Sequence, residues 1–498
     1  MAIQVTDEHL LTVVTARLAH HYGVMPLAVE DSCCQIASPT PDDLVMRDEL
    51  SRLLGMPVAL SYATEEDIES AQKKWYGIGA DTMEQLSSSR EEADFISAGA
   101  VAEEVGDAGL PPSIIKFVNQ LLTEAVHSRA TDIHIEPFAD RCRVRTRVDG
   151  ILYELPAPAT LSQFQSEIVS RIKIMAGLNI AETRLPQDGR IPIRIGGNEI
   201  DLRVSIVPIQ HGESVNIRIL QARQSLLSLE ALGFSQKDRD LFERQTLKTH
   251  GIVLVTGPTG SGKTTTLYAA LDRINDATRK IITIEDPVEY EMEGICQMQV
   301  KTHIGFTFST GLRSILRHDP DVILVGEIRD LETAELAMRS ALTGHLVFST
   351  LHTNDAPSSI TRLQDLGIDS YLICSSVECV IAQRLVRRIC PHCREEQPID
   401  SELIGRSGLS EETLSTFHFY KGAGCAECRN AGYLGRQAIA EAFAMDEEMR
   451  RLIMDGAPAN ILRDRAVLQG MTGLWEDGLQ KVSTGETTLE ELLRVTQS

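Results

Sequence analysis

Positive charge is in short supply in this 498-residue chain: 48 Lys and Arg stand against 71 Asp and Glu, for a net charge of −23. A field of that sign repels phosphate backbones and anionic lipid, which argues against a nucleic-acid or membrane binder acting through overall charge. Aromatic residues are also scarce, at 5% with two tryptophans, so the cores must be aliphatic. No apolar run approaches the ~20 residues of a membrane-spanning helix, and no charged-then-apolar segment of signal-peptide design is present. The expectation is a soluble protein whose membrane role, if any, comes through a partner. Internal repeats and low-complexity tracts are absent too.

At 43% apolar and 24% charged residues the composition is globular, and the length suits about three domains of ~150 residues. Residues 1–90 read as a small mixed domain with helical spacing in HLLTVVTARLAHHYG and DLVMRDELSRLLG. Nearly half of the acidic excess lies in residues 1–100, with 17 acids against 6 bases; it serves solubility or docks a basic partner. Residues 91–112, acidic, rich in Ala and Gly and closed by two prolines, read as a linker. Residues 113–238 begin with helical spacing and continue with alternating segments (DIHIEP, CRVRTRVDGILYEL, RIPIRIGG, EIDLRVSIVPI), the mark of an α+β domain. Residues 239–386 hold continuous apolar runs between helices (GIVLVTG, IITIEDP, DVILVGE, HLVFSTL), which predicts an α/β core with a parallel sheet covered on both faces. A cysteine-bearing module at 387–432 and a helical tail at 433–498 complete the chain.

GPTGSGKT, Gly257 to Thr264, fits the phosphate-binding loop, with a strand entering and a helix leaving. Its glycines (Gly257, Gly260, Gly262) allow successive N–H groups to converge on one anion, and the helix N-terminus adds partial positive charge. Pro258, Thr259, Ser261 and Thr265 complete the candidate ATP-binding set. Lys263 can reach the β- and γ-phosphates, and the Thr264 hydroxyl can ligate Mg²⁺.

Hydrolysis also needs a group that acts on water. DVILVGEIRD ends its apolar strand in Gly326, where nucleotide enzymes usually place a magnesium-binding aspartate, and the acid follows as Glu327. A carboxylate at the carboxyl end of a parallel strand is placed to orient attacking water. Mg²⁺ would then rely on Thr264, the phosphates and its own waters. IEDPVEYE supplies Glu285, Asp286 and Glu289, which either hold that water shell or serve structure alone. In HLVFSTLHTN, His352 at the strand's carboxyl end is a candidate γ-phosphate sensor, against the plainer role of a surface or core histidine.

Cys390, Cys393, Cys425 and Cys428 form C-x2-C–x31-C-x2-C, a spacing that favours one tetrahedral, structural Zn²⁺ per chain, with redox chemistry as the rival. Helix is expected to fill part of the gap, over SEETLSTF. Cys33, Cys34, Cys142, Cys296, Cys374 and Cys379 carry no spacing signal and read as buried thiols. Arg141, Arg143, Arg145 and Arg147 alternate along one strand and share a face, which meets an adjacent subunit's phosphates, the acidic N-terminal domain or simply water.

Together GPTGSGKTTT, IEDPVEYE, DVILVGEIRD and TGHLVFSTLHTN resemble the Walker A, Asp box, Walker B and His box of the secretion ATPases of the type II secretion and type IV pilus superfamily. DIHIEP, RLPQDGRIPIR, DLRVS and the tetracysteine module extend the resemblance over roughly residues 105–498, and within the superfamily the type II secretion assembly ATPases match best. The resemblance implies a RecA-type core in a hexamer on the cytoplasmic side of the bacterial inner membrane. It implies docking through the N-terminal domain to the cytoplasmic domain of a bitopic secretion protein, with a polytopic platform protein nearby and no nucleic acid. ATP turnover would drive pseudopilus assembly and protein export. Glu327 would be the catalytic acid, and Arg203 and Arg218, with Arg313 and Arg317 as a further basic pair, match arginines that reach nucleotide. A type IV pilus extension ATPase and a zinc-ribbon nucleic-acid-binding protein with a P-loop are the alternatives; the acidic balance and the lack of interleaved aromatics weigh against the latter.

Overall fold

In the computed structural model of the chain, the described residues are 3, 5, 9–30, 32–77, 79–83, 111–195, 198–221, 227–398, 401–409 and 417–497. The chain divides into two units, Met1–Ala222 and Arg223–Ser498. The linker expected at 91–112 lies outside the described residues save its last two, and Pro112 already opens a helix.

The first unit starts with a small sheet of order β1-β2-β3. β1 (Met25–Glu30) and β2 (Cys33–Ser38) are antiparallel, and β3 (Val58–Tyr62) returns parallel to β2. A parallel return needs a crossover, here the helix Leu44–Leu54, capped by the Asp43 carboxylate and stopped at Gly55. Its buried Leu50 packs with Leu10, Val14 and Ile36.

The helix Pro112–His127 then buries Ile114, Phe117, Val118, Leu121, Leu122 and Ala125. This stripe joins the core of a six-stranded antiparallel sheet of order β6-β5-β4-β9-β8-β7. Its strands are β4 (Asp132–Pro137), β5 (Cys142–Val148), β6 (Ile151–Leu155), β7 (Gln187–Ile195), β8 (Asn198–Ile209) and β9 (Gly212–Gln221). Cys142, Val144 and Thr146 of β5 point into the core, and the intervening arginines lie on the opposite face, as the alternation predicts.

In the second unit, β10 (Gly251–Thr256), β13 (Val322–Val325) and β14 (Leu346–Leu351) are buried at every position. They belong to a seven-stranded sheet of order β12-β11-β13-β14-β10-β15-β18, with β11 (Ile281–Glu285) and β12 (Cys296–Gln299) at one side. Ile252 and Leu254 face one apolar cluster and Val253 and Val255 another. Both sheet faces are therefore covered, and the continuous apolar runs have their physical cause.

β15 (Val377–Ile389) and β18 (Tyr433–Ala444), paired antiparallel, were not among the strands legible as apolar runs. Buried polar residues (Gln383, Gln437, Glu441) interrupt them. β15 runs through the boundary drawn after residue 386, and the tail expected to be helical from 433 opens with β18. The helices Glu447–Met454, Ala459–Leu468, Leu474–Ser483 and Leu489–Thr496 follow. Between the cysteine pairs, β16 (Arg394–Glu396) pairs with β17 (Tyr420–Gly422), and a helix spans Ser401–Ser407. The helix expected over SEETLSTF lies outside the described residues except for Phe417.

Candidate nucleotide site and metal centre

β10 delivers the chain into Gly257, where φ is +147° and an added Cβ would stand 2.4 Å from the Gln383 carbonyl oxygen. Only glycine passes there. Gly262, at φ +88°, is the N-cap of the helix Lys263–Ile274, and its missing Cβ would lie 3.1 Å from Gln383 Nε2. Pro258, Thr259 and Gly260 form the exposed tip of the loop, Ser261 is buried, and Thr264 and Thr265 are half-buried in the first helical turn. The Lys263 ammonium donates to the Gly257 and Pro258 carbonyls at 2.8 and 3.0 Å. Burial lowers the pKa of that ammonium, and the negative charge of Glu327 acts in the opposite sense.

Gln383 on β15 braces the loop from beneath. Its Nε2 donates to the Ser261 carbonyl at 2.7 Å, and its Oε1 accepts from Thr266 Oγ1 at 2.8 Å. Gln383 belongs to no sequence motif, and β15 does not read as an apolar run. A lone glutamine amid VECVIAQRLV was the available signal.

β13 lies between β11 and β14. Gly326 N–H donates to the Ile284 carbonyl at 2.8 Å, Ser349 Oγ donates to the Val325 carbonyl, and Thr350 Oγ1 to the Gly326 carbonyl, both at 2.7 Å. The backbone entering Glu327 is thus held from both sides. The Glu327 side chain is 12% exposed, with Oε1 2.7 Å from the Arg329 guanidinium. Oε2 is buried and accepts no hydrogen bond among the described residues; His352 Nε2 stands 3.4 Å away. His352 is half-exposed, and its loop is anchored to the P-loop strand where Thr353 N–H donates to Thr256 Oγ1 at 3.2 Å. The structure brings Lys263, Glu327 and His352 to one end of one sheet.

The acids of the neighbouring strand separate. Glu285 is buried, with Oε1 accepting from Thr283 Oγ1 at 2.6 Å and Oε2 from the Tyr268 hydroxyl. Burial pushes its carboxyl up, and those donors act in the opposite sense. The same burial, with Glu285 beside it, raises the Tyr268 phenol. Both oxygens of Glu285 are thus engaged by donors in the core, which favours the structural of the two roles expected for it. Asp286 is exposed at the strand end, and its charge is felt at Arg329.

Arg203 and Arg218 lie in the first unit as direct cross-strand partners on β8 and β9. Arg190 pairs in register with Arg203, and Asp132 with both Arg218 and Arg147. The result is a row of four arginines and one aspartate across the sheet. Arg218 Nε is 3.2 Å from Asp132 Oδ1, while Arg143 and Arg145 both bond Glu136. A pocket of about 440 Å³, lined in part by Asp188, Arg190, Arg203, Asn216 and Arg218, opens on this face. In the second unit Arg313 is paired with Glu332, and Arg317 donates to the Arg313 carbonyl at 2.8 Å.

The four knuckle cysteines converge, with all sulfurs within 4.8 Å of one another. Cys390–Cys425, Cys393–Cys428 and Cys425–Cys428 are 3.8, 3.7 and 3.7 Å apart. A tetrahedron with Zn–S arms of about 2.3 Å has edges of about 3.8 Å, so the donor set fits zinc in kind and in size. Backbone N–H groups of Gly424 and Gly432 donate to the sulfurs of Cys393 and Cys428 at 3.3 Å, as thiolate ligands require. Of the cysteines expected to be buried, Cys34, Cys142, Cys374 and Cys379 are, Cys33 is partly so, and Cys296 is exposed on β12. β12 is an edge strand, and Cys296 is its first residue.

Comparison with known proteins gives a consistent set of relatives. Residues 109–494 match the family model described as type II/IV secretion system protein, and residues 3–82 match the MshEN domain. The chain is 43% identical to the type II secretion system protein E of Xanthomonas campestris pv. campestris, over 97% of this chain and 85% of that protein. It is 50% identical to the type II secretion system protein HxcR of Pseudomonas aeruginosa over 77% of each. It is 40% identical to the type IV pilus assembly ATPase PilB of Myxococcus xanthus, over 98% of this chain and 86% of that one. Among solved structures, the pilus retraction motor PilT with bound ADP aligns at a TM-score of 0.51 and 26% identity, covering 75% of this chain and 95% of that one. The Legionella pneumophila ATPase DotB aligns at 0.57 and 21% identity, over 78% and 96%, and supports the fold.

Proposed function

Because the chain belongs to the type II/IV secretion system protein family, we propose that it is the ATPase of a type II secretion system, hydrolysing ATP to drive pseudopilus assembly and protein export. The observation that carries the catalytic part is the division of labour at Glu327. One carboxylate oxygen is held by Arg329; the other is buried and has no hydrogen-bond donor among the described residues, in the field of the P-loop lysine. An acceptor left open there is suited to take a proton from, and orient, a water attacking the γ-phosphate. Lys263 and the loop N–H groups bind the phosphates, Thr264 offers its hydroxyl to Mg²⁺, and His352 stands beside the acid as a γ-phosphate sensor. Mg²⁺, when bound, neutralises phosphate charge.

The four cysteines hold a structural zinc ion. The active form is a hexamer peripheral to the cytoplasmic side of the inner membrane. The N-terminal domain docks to the cytoplasmic domain of a bitopic secretion protein, beside a polytopic platform protein. Arg203 and Arg218 reach nucleotide in that assembly, and the enzyme acts as a translocase. The pilus reading draws on the PilB match at 40% identity, against 50% for HxcR; secretin, platform and pseudopilin genes beside this one would favour secretion.

The test is paired. Lys263→Ala loses nucleotide binding, whereas Glu327→Gln keeps binding and loses hydrolysis. Normal turnover by Glu327→Gln sinks the assignment.

A further inference from the structure

Two acids and an arginine outside every motif hold the turn between His352 and the helix Pro357–Asp365. Ala356 N–H, at the end of that turn, donates to Glu441 Oε1 at 2.8 Å. Asp355, one residue earlier, has its Oδ1 3.1 Å from Arg463 Nη2. Arg463 projects from the helix Ala459–Leu468 and also grips Glu441, each Nη donating to one carboxylate oxygen at 3.3 Å. Glu441 is a buried residue of β18, paired with Ala382 of β15 and so one register position from the P-loop brace Gln383. It accepts again from Leu474 N–H at 3.3 Å, where the helix Leu474–Ser483 begins. One buried carboxylate thus gathers two C-terminal helices, and one guanidinium extends that junction to the turn carrying His352.

Neutralising Glu441 does not require the contact to Asp355. That contact joins side chains 38% and 28% exposed, and an ion pair so open to water adds little stability. What it does is set position. Asp355 also accepts from Ser358 N–H at 2.9 Å and from Ser358 Oγ at 2.7 Å, which fixes its carboxylate to the first turn of the helix that follows. His352 is half-exposed, with Nε2 3.4 Å from Glu327 Oε2. A ring with so little packed around it takes its place from the turn it stands on. We propose that Arg463 is a positioning residue for hydrolysis: by bridging Asp355 and Glu441 it ties the His352 turn to the C-terminal helices and so sets where the imidazole meets the γ-phosphate. This rests on the reading of His352 as a γ-phosphate sensor.

Arg463→Lys keeps a positive charge for Glu441 but not the planar fork that spans both acids. Asp355→Asn keeps an acceptor for Ser358 and loses the charge facing Arg463. Both are to be compared with His352→Ala and with the double variant Arg463→Lys/His352→Ala. The full-length assembled protein is used throughout, with steady-state ATPase kinetics and titration with a fluorescent ADP analogue. Since a misplacement of about 1 Å costs up to ~10²-fold, kcat should fall ~5- to 50-fold in each single variant, with ADP-analogue affinity within about twofold of the parent. ADP offers no γ-phosphate for His352 to meet, so its binding should not register the change. In the double variant the loss should equal that of His352→Ala alone, because residues that act through one another are not additive. Losses that multiply overturn the inference, as does ADP affinity falling in step with rate. Parental kcat in both Arg463→Lys and Asp355→Asn beside a slow His352→Ala overturns it and spares the sensor. Parental kcat in His352→Ala overturns the sensor reading, and this inference with it.

Discussion

Gln383→Leu is the most informative single change in the second unit, because it removes a brace without emptying space. Gln383 is 1% exposed, as is Thr266, and Ser261 is 3% exposed. Leucine fills nearly the same volume, so cavity formation contributes little. What is lost is a pair of hydrogen bonds, 2.7 Å to the Ser261 carbonyl and 2.8 Å from the Thr266 hydroxyl. Thr266 sits in a helix and can turn its hydroxyl back to a carbonyl one turn earlier, so its loss is partly compensated. The Ser261 carbonyl has no such recourse. An orphaned buried acceptor costs about 1–3 kcal/mol, and the penalty falls on the loop conformation that binds phosphate. Since about 1.4 kcal/mol is tenfold in affinity, nucleotide binding should weaken by roughly 5- to 150-fold.

Titration of the purified variant with a fluorescent ATP analogue measures this directly. Thr266→Val serves as the comparison: it keeps the bond to the Ser261 carbonyl and leaves Gln383 Oε1 without its donor, so a smaller loss of affinity than in Gln383→Leu assigns the effect to the Ser261 carbonyl. If Gln383→Leu is folded and binds within twofold of the parent, the brace does not shape the loop and the reasoning fails.

The remaining expectations can be stated briefly. Cys425→Ser should leave less than half an equivalent of zinc on the purified protein and unfold the module between the cysteine pairs, since apparent binding energies at such sites reach ~10 kcal/mol or more; metal analysis and limited proteolysis read both. Specific ATPase activity should rise with protein concentration as chains assemble, and Arg203→Ala and Arg218→Ala should lose most of that gain while binding nucleotide, an arginine at the γ-phosphate being worth ~10³-fold or more; flat activity across the assembly range refutes it. Glu285 has a folded-state pKa above its ordinary value, so its contribution favours folding below the ordinary glutamate range and is lost as pH rises through the raised folded value. Glu285→Gln should therefore gain Tm relative to the parent as pH rises through that window, and a difference independent of pH counts against the burial argument.

The nucleotide site was legible because its signal is local. A P-loop needs glycine where backbone must pass closely, and Gly257 with an oxygen 2.4 Å from its absent Cβ shows why no other residue serves. The tetracysteine centre was legible for a similar reason: two short knuckles set sulfur spacing, whatever lies between them. Elsewhere the information lies in pairing. Gln383 gains its meaning from Ser261, some 122 residues away, and nothing nearby in sequence reports that. The arginines of β5 do share a face, but whether they are free or neutralised depends on the β4 register that sets Glu136 opposite Arg143. Glu285 was the instructive case. Thr283 and Glu285 fall on the same side of β11, and the hydroxyls of Thr283 and Tyr268 both bond that carboxylate. Alternation gives the shared side, but not that the side is interior.

The same logic explains why β13 ends in glycine and carries its acid one residue later. A Cβ at position 326 would meet the Ile284 carbonyl oxygen at 3.2 Å, Glu285 Cα at 3.3 Å and Phe308 at 3.4 Å. An aspartate there would press on β11 at the residue whose side chain anchors the buried Tyr268 network. At position 327 the acid lies beyond the last paired residue of β13, with Arg329 at one carboxylate oxygen and His352 3.4 Å from the other. One oxygen is then fixed by Arg329, and the other is the only buried carboxylate oxygen among Glu285 and Glu327 without a donor. One oxygen held by Arg329 and one buried without a donor among the described residues is the arrangement on which the role proposed for Glu327 rests.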